Sequence, residues 1–136
     1  MTKKELSQLY WLKREIEADQ QRLCELEAIA ASPGSPRYDG MRHAPGTGDG
    51  MARMAAEIVD LKAIISAKQQ QCTHERNRLE RYIAEVPDSL TRQIFTYRFV
   101  NGMSWWQVAA RVGGNTADSV RKVVDRYLQA DDLHAE

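Results

Sequence analysis

Ser104-Trp105-Trp106-Gln107-Val108-Ala109-Ala110-Arg111-Val112-Gly113-Gly114-Asn115-Thr116-Ala117-Asp118-Ser119-Val120-Arg121-Lys122 is the stretch whose reading decides the fold. Ser104 and Gln107, three places apart, can each satisfy the other's free backbone donor, so a short helix is expected to begin at Trp105. It turns Val108, Ala109 and Val112 inward and stops at Gly113-Gly114-Asn115, residues that tolerate the positive backbone angles of a tight turn. Thr116 is the expected cap of a second helix, Ala117 to about Gln129, whose inner face is Val120, Val123, Val124, Tyr127 and Leu128. Asp118, Ser119, Arg121, Lys122 and Asp125 then face outward, and Ala109 falls where the two helices approach closely.

Working upstream, Pro87 breaks a preceding helix, and Asp88 or Ser89 can cap a new one. Its expected apolar face is Leu90, Ile94, Phe95 and Tyr97, and it ends at Asn101-Gly102. A capped short helix, a small residue, a glycine turn and a second capped helix with polar residues near its start are what insertion into a major groove requires. Thr116, Asp118, Ser119, Arg121, Lys122, Arg126 and Arg111 are therefore the candidate DNA-binding residues. Arg121 is placed for base readout, because a guanidinium pairs twice with a guanine edge, and Lys122, Arg126 and Arg111 are placed as phosphate anchors. Trp105 and Trp106 are candidate partner-binding residues, since Trp at a helix start is a common hot spot; at least one is expected to pack beneath the second helix.

The 136 residues include nineteen basic and nineteen acidic ones, a formal net charge of zero. Phosphate contact normally needs excess Lys and Arg, so the distribution matters more than the total. Between Arg92 and Leu128 the charges are Arg92, Arg98, Arg111, Arg121, Lys122 and Arg126 against Asp118 and Asp125. Asp131, Asp132 and Glu136 follow as an acidic tail over 130–136.

The N-terminal part has a different pattern. Leu9, Leu12, Ile16, Leu23, Leu26 and Ala30 alternate by three and four, with Asp19 where another apolar residue is due, which is a heptad seam. Thr2 and Glu5 form a capping-box pattern, so this helix is expected to run from Lys3 to about Ala31, roughly 40 Å. The stretch from Ser32 to Gly50 holds three of the four prolines and five of the eight glycines and reads as a flexible loop, with Tyr38, Arg42 and His43 as its contact candidates. The seam resumes at Met51, Met54, Ile58, Leu61, Ile65, Lys68, Cys72, Glu75, Leu79, Tyr82 and Val86. The chain is thus expected to be all-α: a long antiparallel coiled-coil helical hairpin over 1–86, then a helix-turn-helix over 87–129. The same seams could instead pair between chains, and either way the heptads imply a homo-oligomer or a scaffold.

Tyr97-Arg98-Phe99-Val100-Asn101-Gly102-Met103-Ser104, then Gln107-Val108-Ala109, Val112-Gly113 and Ser119-Val120-Arg121, resembles region 4 of sigma-70-type factors, which reads the promoter −35 element. The resemblance covers about Leu90 to Leu128, with one extra residue in the Gly113-Gly114-Asn115 turn, and no counterpart of a promoter-melting region lies upstream. In layout the chain is similar to small phage or prophage proteins, including late transcription regulators of the ArpU and RinA type. That resemblance implies a regulator of a packaging or late operon that binds double-stranded DNA, with RNA polymerase as a second candidate partner.

Two other readings stand beside it. A small terminase subunit also joins a helix-turn-helix to oligomerising helices, but usually in the opposite order. A coiled-coil adaptor that binds only protein would use Trp105 and Trp106. An enzyme is not expected: three histidines in unrelated settings, no nucleophile pattern and no phosphate loop supply nothing to do chemistry, and no cofactor is implied. Cys24 and Cys72 form no disulfide framework, and Cys72 with His74 lacks the paired spacing of a zinc site. With no long apolar run the protein is expected to be cytoplasmic and to have no membrane partner.

Overall fold

The computed structural model of the protein describes residues 1–32 and 47–135, and among these it is helical without strands. The elements are α1 (Lys3–Leu6), α2 (Gln8–Ala31), α3 (Thr47–Ala84), α4 (Ser89–Phe95), a π-helical segment (Thr96–Val100), α5 (Trp105–Val112) and α6 (Ala117–Ala135). They form two compact units, Met1–Lys13 with Cys72–Glu136, and Arg14–Gln71.

In the first unit the starts of α1, α4, α5 and α6 are each held by a side-chain cap. Thr2 and Glu5 make the reciprocal box, with Thr2 N donating to Glu5 Oε2 at 2.8 Å and Glu5 N to Thr2 Oγ1 at 3.2 Å. That bond to the Thr2 backbone is the main cause that holds the Glu5 carboxyl below its ordinary range. The single first helix expected from Lys3 is interrupted at Ser7, where ψ opens to −6°, and α2 starts at the next residue. Asp88 caps α4 by accepting from Thr91 N at 3.1 Å and Thr91 Oγ1 at 2.7 Å. Arg92 then reaches back and donates to the carbonyls of Val86 and Pro87, groups that the end of α3 would otherwise leave without partners.

The core of this unit gathers Leu6 and Leu9 from α1 and α2, Leu79 and Ile83 from α3, Ile94 and Phe95 from α4, and Val108, Ala109, Val120, Val124 and Leu128 from α5 and α6. Phe95 is fully buried at its centre, with ring centroids of Phe99 at 5.4 Å and Tyr127 at 5.5 Å. Truncating such a ring to Ala typically costs about 3–5 kcal/mol, more than any one cap here contributes. Leu90, expected on the inner face of α4, is 39% exposed, and Thr91 is buried instead. The reason is the cap: with Asp88 holding Thr91, the helix turns Thr91, Ile94 and Phe95 inward and Leu90 outward.

The π-helical segment was not expected. Asn101 N donates to Thr96 O at 2.9 Å, five residues back. More residues per turn means less rotation per residue, so Phe99 and Val100 both stay on the buried side, where an α-helix would swing Val100 away. Gly102 follows with φ +70°, and the Tyr10 ring stands 3.7 Å from where its Cβ would be.

α6 runs to Ala135, well past the end expected near Gln129, so Asp131 and Asp132 lie on a helix and not in an extended tail. Tyr82 of α3 donates its hydroxyl to Asp131 Oδ2 at 2.9 Å, and Lys3 pairs with Asp125. Burial first, and the bond to Asp131 second, push the Tyr82 hydroxyl far above its ordinary range.

In the second unit Ile16 and Leu26 of α2 and Leu61 and Ile65 of α3 are buried, with Leu23, Met54 and Ile58 half-buried. Between α2 and α3, Lys68 pairs with Asp19 and Glu15, Arg22 with Glu57, and Lys62 with Glu27. Ala30 and Met51, the outer ends of the seams, are exposed. The loop expected from Ser32 to Gly50 is shortened at its far end, because α3 already begins at Thr47. Tyr38, Arg42 and His43 lie outside the described residues.

Candidate nucleic-acid interface

Ser104 Oγ accepts from Gln107 N at 3.2 Å while Ser104 N donates to Gln107 Oε1 at 2.9 Å, so α5 starts from a complete reciprocal cap. Its inward residues Val108 and Ala109 are buried, and α5 packs most closely on α6. The connection is Gly113-Gly114-Asn115-Thr116. Gly113 (φ +79°, ψ 150°) and Gly114 (φ +67°) take conformations that L side chains rarely adopt. Asn115 Nδ2 donates to Gly113 O at 3.0 Å and Asn115 Oδ1 accepts from Ser119 Oγ at 3.0 Å, which ties the turn to the first turn of α6. Thr116 Oγ1 accepts from Ser119 N at 3.0 Å, the cap that its position implies.

α6 then buries Val120 and Val124 and exposes Asp118, Arg121, Lys122 and Arg126. The Asp118 carboxylate accepts from Lys122 Nζ at 3.1 Å and is also paired with Arg121. Lys122 first and Arg121 second hold the Asp118 carboxyl below its ordinary range, so it stays ionised at neutral pH. Both exposed cations of the first two turns therefore carry an internal counter-ion. Arg111 is exposed at the end of α5, with its guanidinium 5.8 Å from the Tyr97 ring centre.

A groove of ≈ 470 Å³ brings together Arg98, Trp105, Trp106, Thr116, Asp118 and Arg121. The candidate DNA-binding residues Lys122, Arg126 and Arg111 do not line it. Ser119 is committed to the turn through Asn115, and its half-buried hydroxyl is a positioning element. The two tryptophans differ in their surroundings. Trp105 is half-buried, edge-on to Phe99 at 6.5 Å, and Trp106 is 78% exposed. Arg98 is the residue that sequence reasoning counted only as charge. Its guanidinium lies 4.5 Å over the Trp105 ring and Nη1 donates to Met103 O at 2.9 Å. Arg98 belongs to the π-helical segment, for which the sequence carries no readable signal.

Among the described residues no three His, Cys, Asp or Glu side chains gather as metal ligands, and no helix is long and apolar enough to cross a membrane. Cys24 is exposed and Cys72 half-buried, both free. Comparisons with family models, with curated proteins and with solved structures give no match.

Proposed function

We propose that the chain is a sequence-specific, double-stranded-DNA-binding transcription regulator in which α5, the glycine turn and α6 act as a helix-turn-helix. The observation that carries the reading is the start of α6: it is capped by Thr116, anchored by Val120 and Val124, and presents Arg121 and Lys122 outward within two turns. A helix held in that way can enter a major groove with its first turns against base edges. Arg121 reads a base edge, and Lys122, Arg126 and Arg111 hold phosphates. The second unit serves as an antiparallel coiled-coil hairpin that joins copies of the chain, a role supported by the exposure of Met51, Val59 and Ile64 on α3. A homo-oligomer on two half-sites compensates for a reading head with few net positive charges. The resemblance to sigma region 4 and to ArpU- and RinA-type regulators extends the proposal to late-gene control in a phage or prophage, in the cytoplasm, with RNA polymerase as a second partner.

The test is selection of duplexes from a randomised pool by the full chain, followed by fluorescence anisotropy with the selected and a scrambled duplex. Enrichment of one motif, with tighter and salt-sensitive binding of that duplex, is the expected result. Equal, salt-insensitive binding of both duplexes overturns the reading.

A further inference from the structure

The most exposed large apolar side chain among the described residues is Trp106, at 78%, and no packing contact in the fold accounts for it. Its neighbour Trp105 does the structural work, against Phe99 and beneath Arg98. Trp106 sits on the groove that also holds Thr116, Asp118, Arg121 and Arg98. We propose that Trp106 is a DNA-backbone contact, its indole N–H donating to a phosphate and its ring covering the adjoining deoxyribose. This rests on the reading of α6 as the helix that enters the major groove.

An α-helix with its side chains is about 10–12 Å across and the major groove is about 12 Å wide. A helix that enters it therefore has a sugar-phosphate strand along each flank. The groove between the starts of α5 and α6 lies along one flank at the level of Thr116 to Arg121, so the strand on that side runs through it. Its lining suits a polyanion. Arg98 and Arg121 contribute two guanidinium groups, and the one carboxylate, Asp118, already faces the cations of Lys122 and Arg121. Indole has one donor and no acceptor, so it approaches a phosphate without repulsion. A protein partner fits less well, because the core of a protein interface is an apolar cluster. Around Trp106 the groove is lined by Ser104, Arg98, Thr116, Asp118 and Arg121, with Trp105 and Ala117 as its remaining apolar part.

A phosphate contact carries no sequence information, so a random-sequence duplex at low salt is a sufficient probe. Wild type and Trp106→Leu are compared by anisotropy with a fluorescein-labelled random duplex and by intrinsic emission with the unlabelled duplex. Circular dichroism checks that the variant is folded. The expected result is that the duplex shields from acrylamide an emission component present only in wild type, and that Trp106→Leu binds about tenfold more weakly on every sequence alike. If wild type binds the duplex while Trp106 stays fully open to acrylamide and Trp106→Leu binds equally well, the contact is overturned and the helix-turn-helix reading stands. If wild type does not bind the duplex at all, that reading itself is overturned.

Discussion

Lys68 Nζ lies 2.6 Å from Asp19 Oδ2, so the charged interruptions of the two heptad seams meet each other. Their side chains are 28% and 23% exposed, and Lys68 has a second, longer pairing with the exposed Glu15 at 3.8 Å. Such a pair sets alignment more than it adds stability, since a slip of one residue would strand both charges against apolar neighbours.

Removal of either partner is therefore expected to destabilise the chain by more than the second removal adds. Urea unfolding of Asp19→Ala, Lys68→Ala and the double variant tests this, and additive losses would refute the pairing. The hydrogen bond that it donates to Asp19 is the main cause that raises the Lys68 ammonium above its ordinary value. Its contribution is thus fully present below the unfolded lysine value of about 10.4 and fades as pH rises through the folded one.

The Asp88 cap titrates in the opposite direction. Hydrogen bonds from the Thr91 side chain and backbone hold its carboxyl below the usual range. The cap's ionic contribution is therefore present above the unfolded value of about 3.9 and is lost as pH falls through the folded one. Asn can cap without charge, so Asp88→Asn should be less stable than wild type near neutrality and approach it as acid is added. Thermal melts across the acid range read the difference, and a gap that stays constant to low pH would count against the assignment.

Gly113→Ala is expected to cost about 1–3 kcal/mol, the usual penalty for a side chain in a sparsely populated backbone region. Nothing lies within 4 Å of the added Cβ, so the loss would come from φ +79° and ψ 150° and not from a clash. Chemical denaturation measures it. A neutral substitution would show that the turn relaxes without strain.

In DNA binding, Arg121→Ala should cost about 1–3 kcal/mol on a selected duplex and relax discrimination there. Lys122→Ala should weaken all duplexes alike and lower the salt slope by about one unit. Asp118→Asn removes the counter-ion of both cations, so it should tighten binding to random duplex and steepen its salt dependence. Anisotropy titrations at several salt concentrations read all three. Weaker random binding by Asp118→Asn would mean that the carboxylate positions the cations and does not restrain them.

The sequence by itself determined the punctuation of the chain. The caps at Thr2, Asp88, Ser104 and Thr116, and the glycine turn after Val112, stand where residue chemistry puts them, because each is a bond between groups two to four places apart. The inward faces of α5 and α6 were legible for a similar reason: a helical period of 3.6 fixes which side chains share a side. The same period places Asp19 and Lys68 on their seams, and the tertiary structure brings the two together. Only the tertiary structure decided where the sides point. It brought Leu6, Leu79 and Ile83 into one core with α4, α5 and α6, unwound Thr96–Val100 to keep Phe99 and Val100 buried, and turned Leu90 out. It also extended α6 until Asp131 met Tyr82, put Arg98 over Trp105 and left Trp106 on the surface. These arrangements are contests among groups far apart in the chain, settled by which packing buries the most apolar surface without orphaning a polar group, and no local pattern records the outcome.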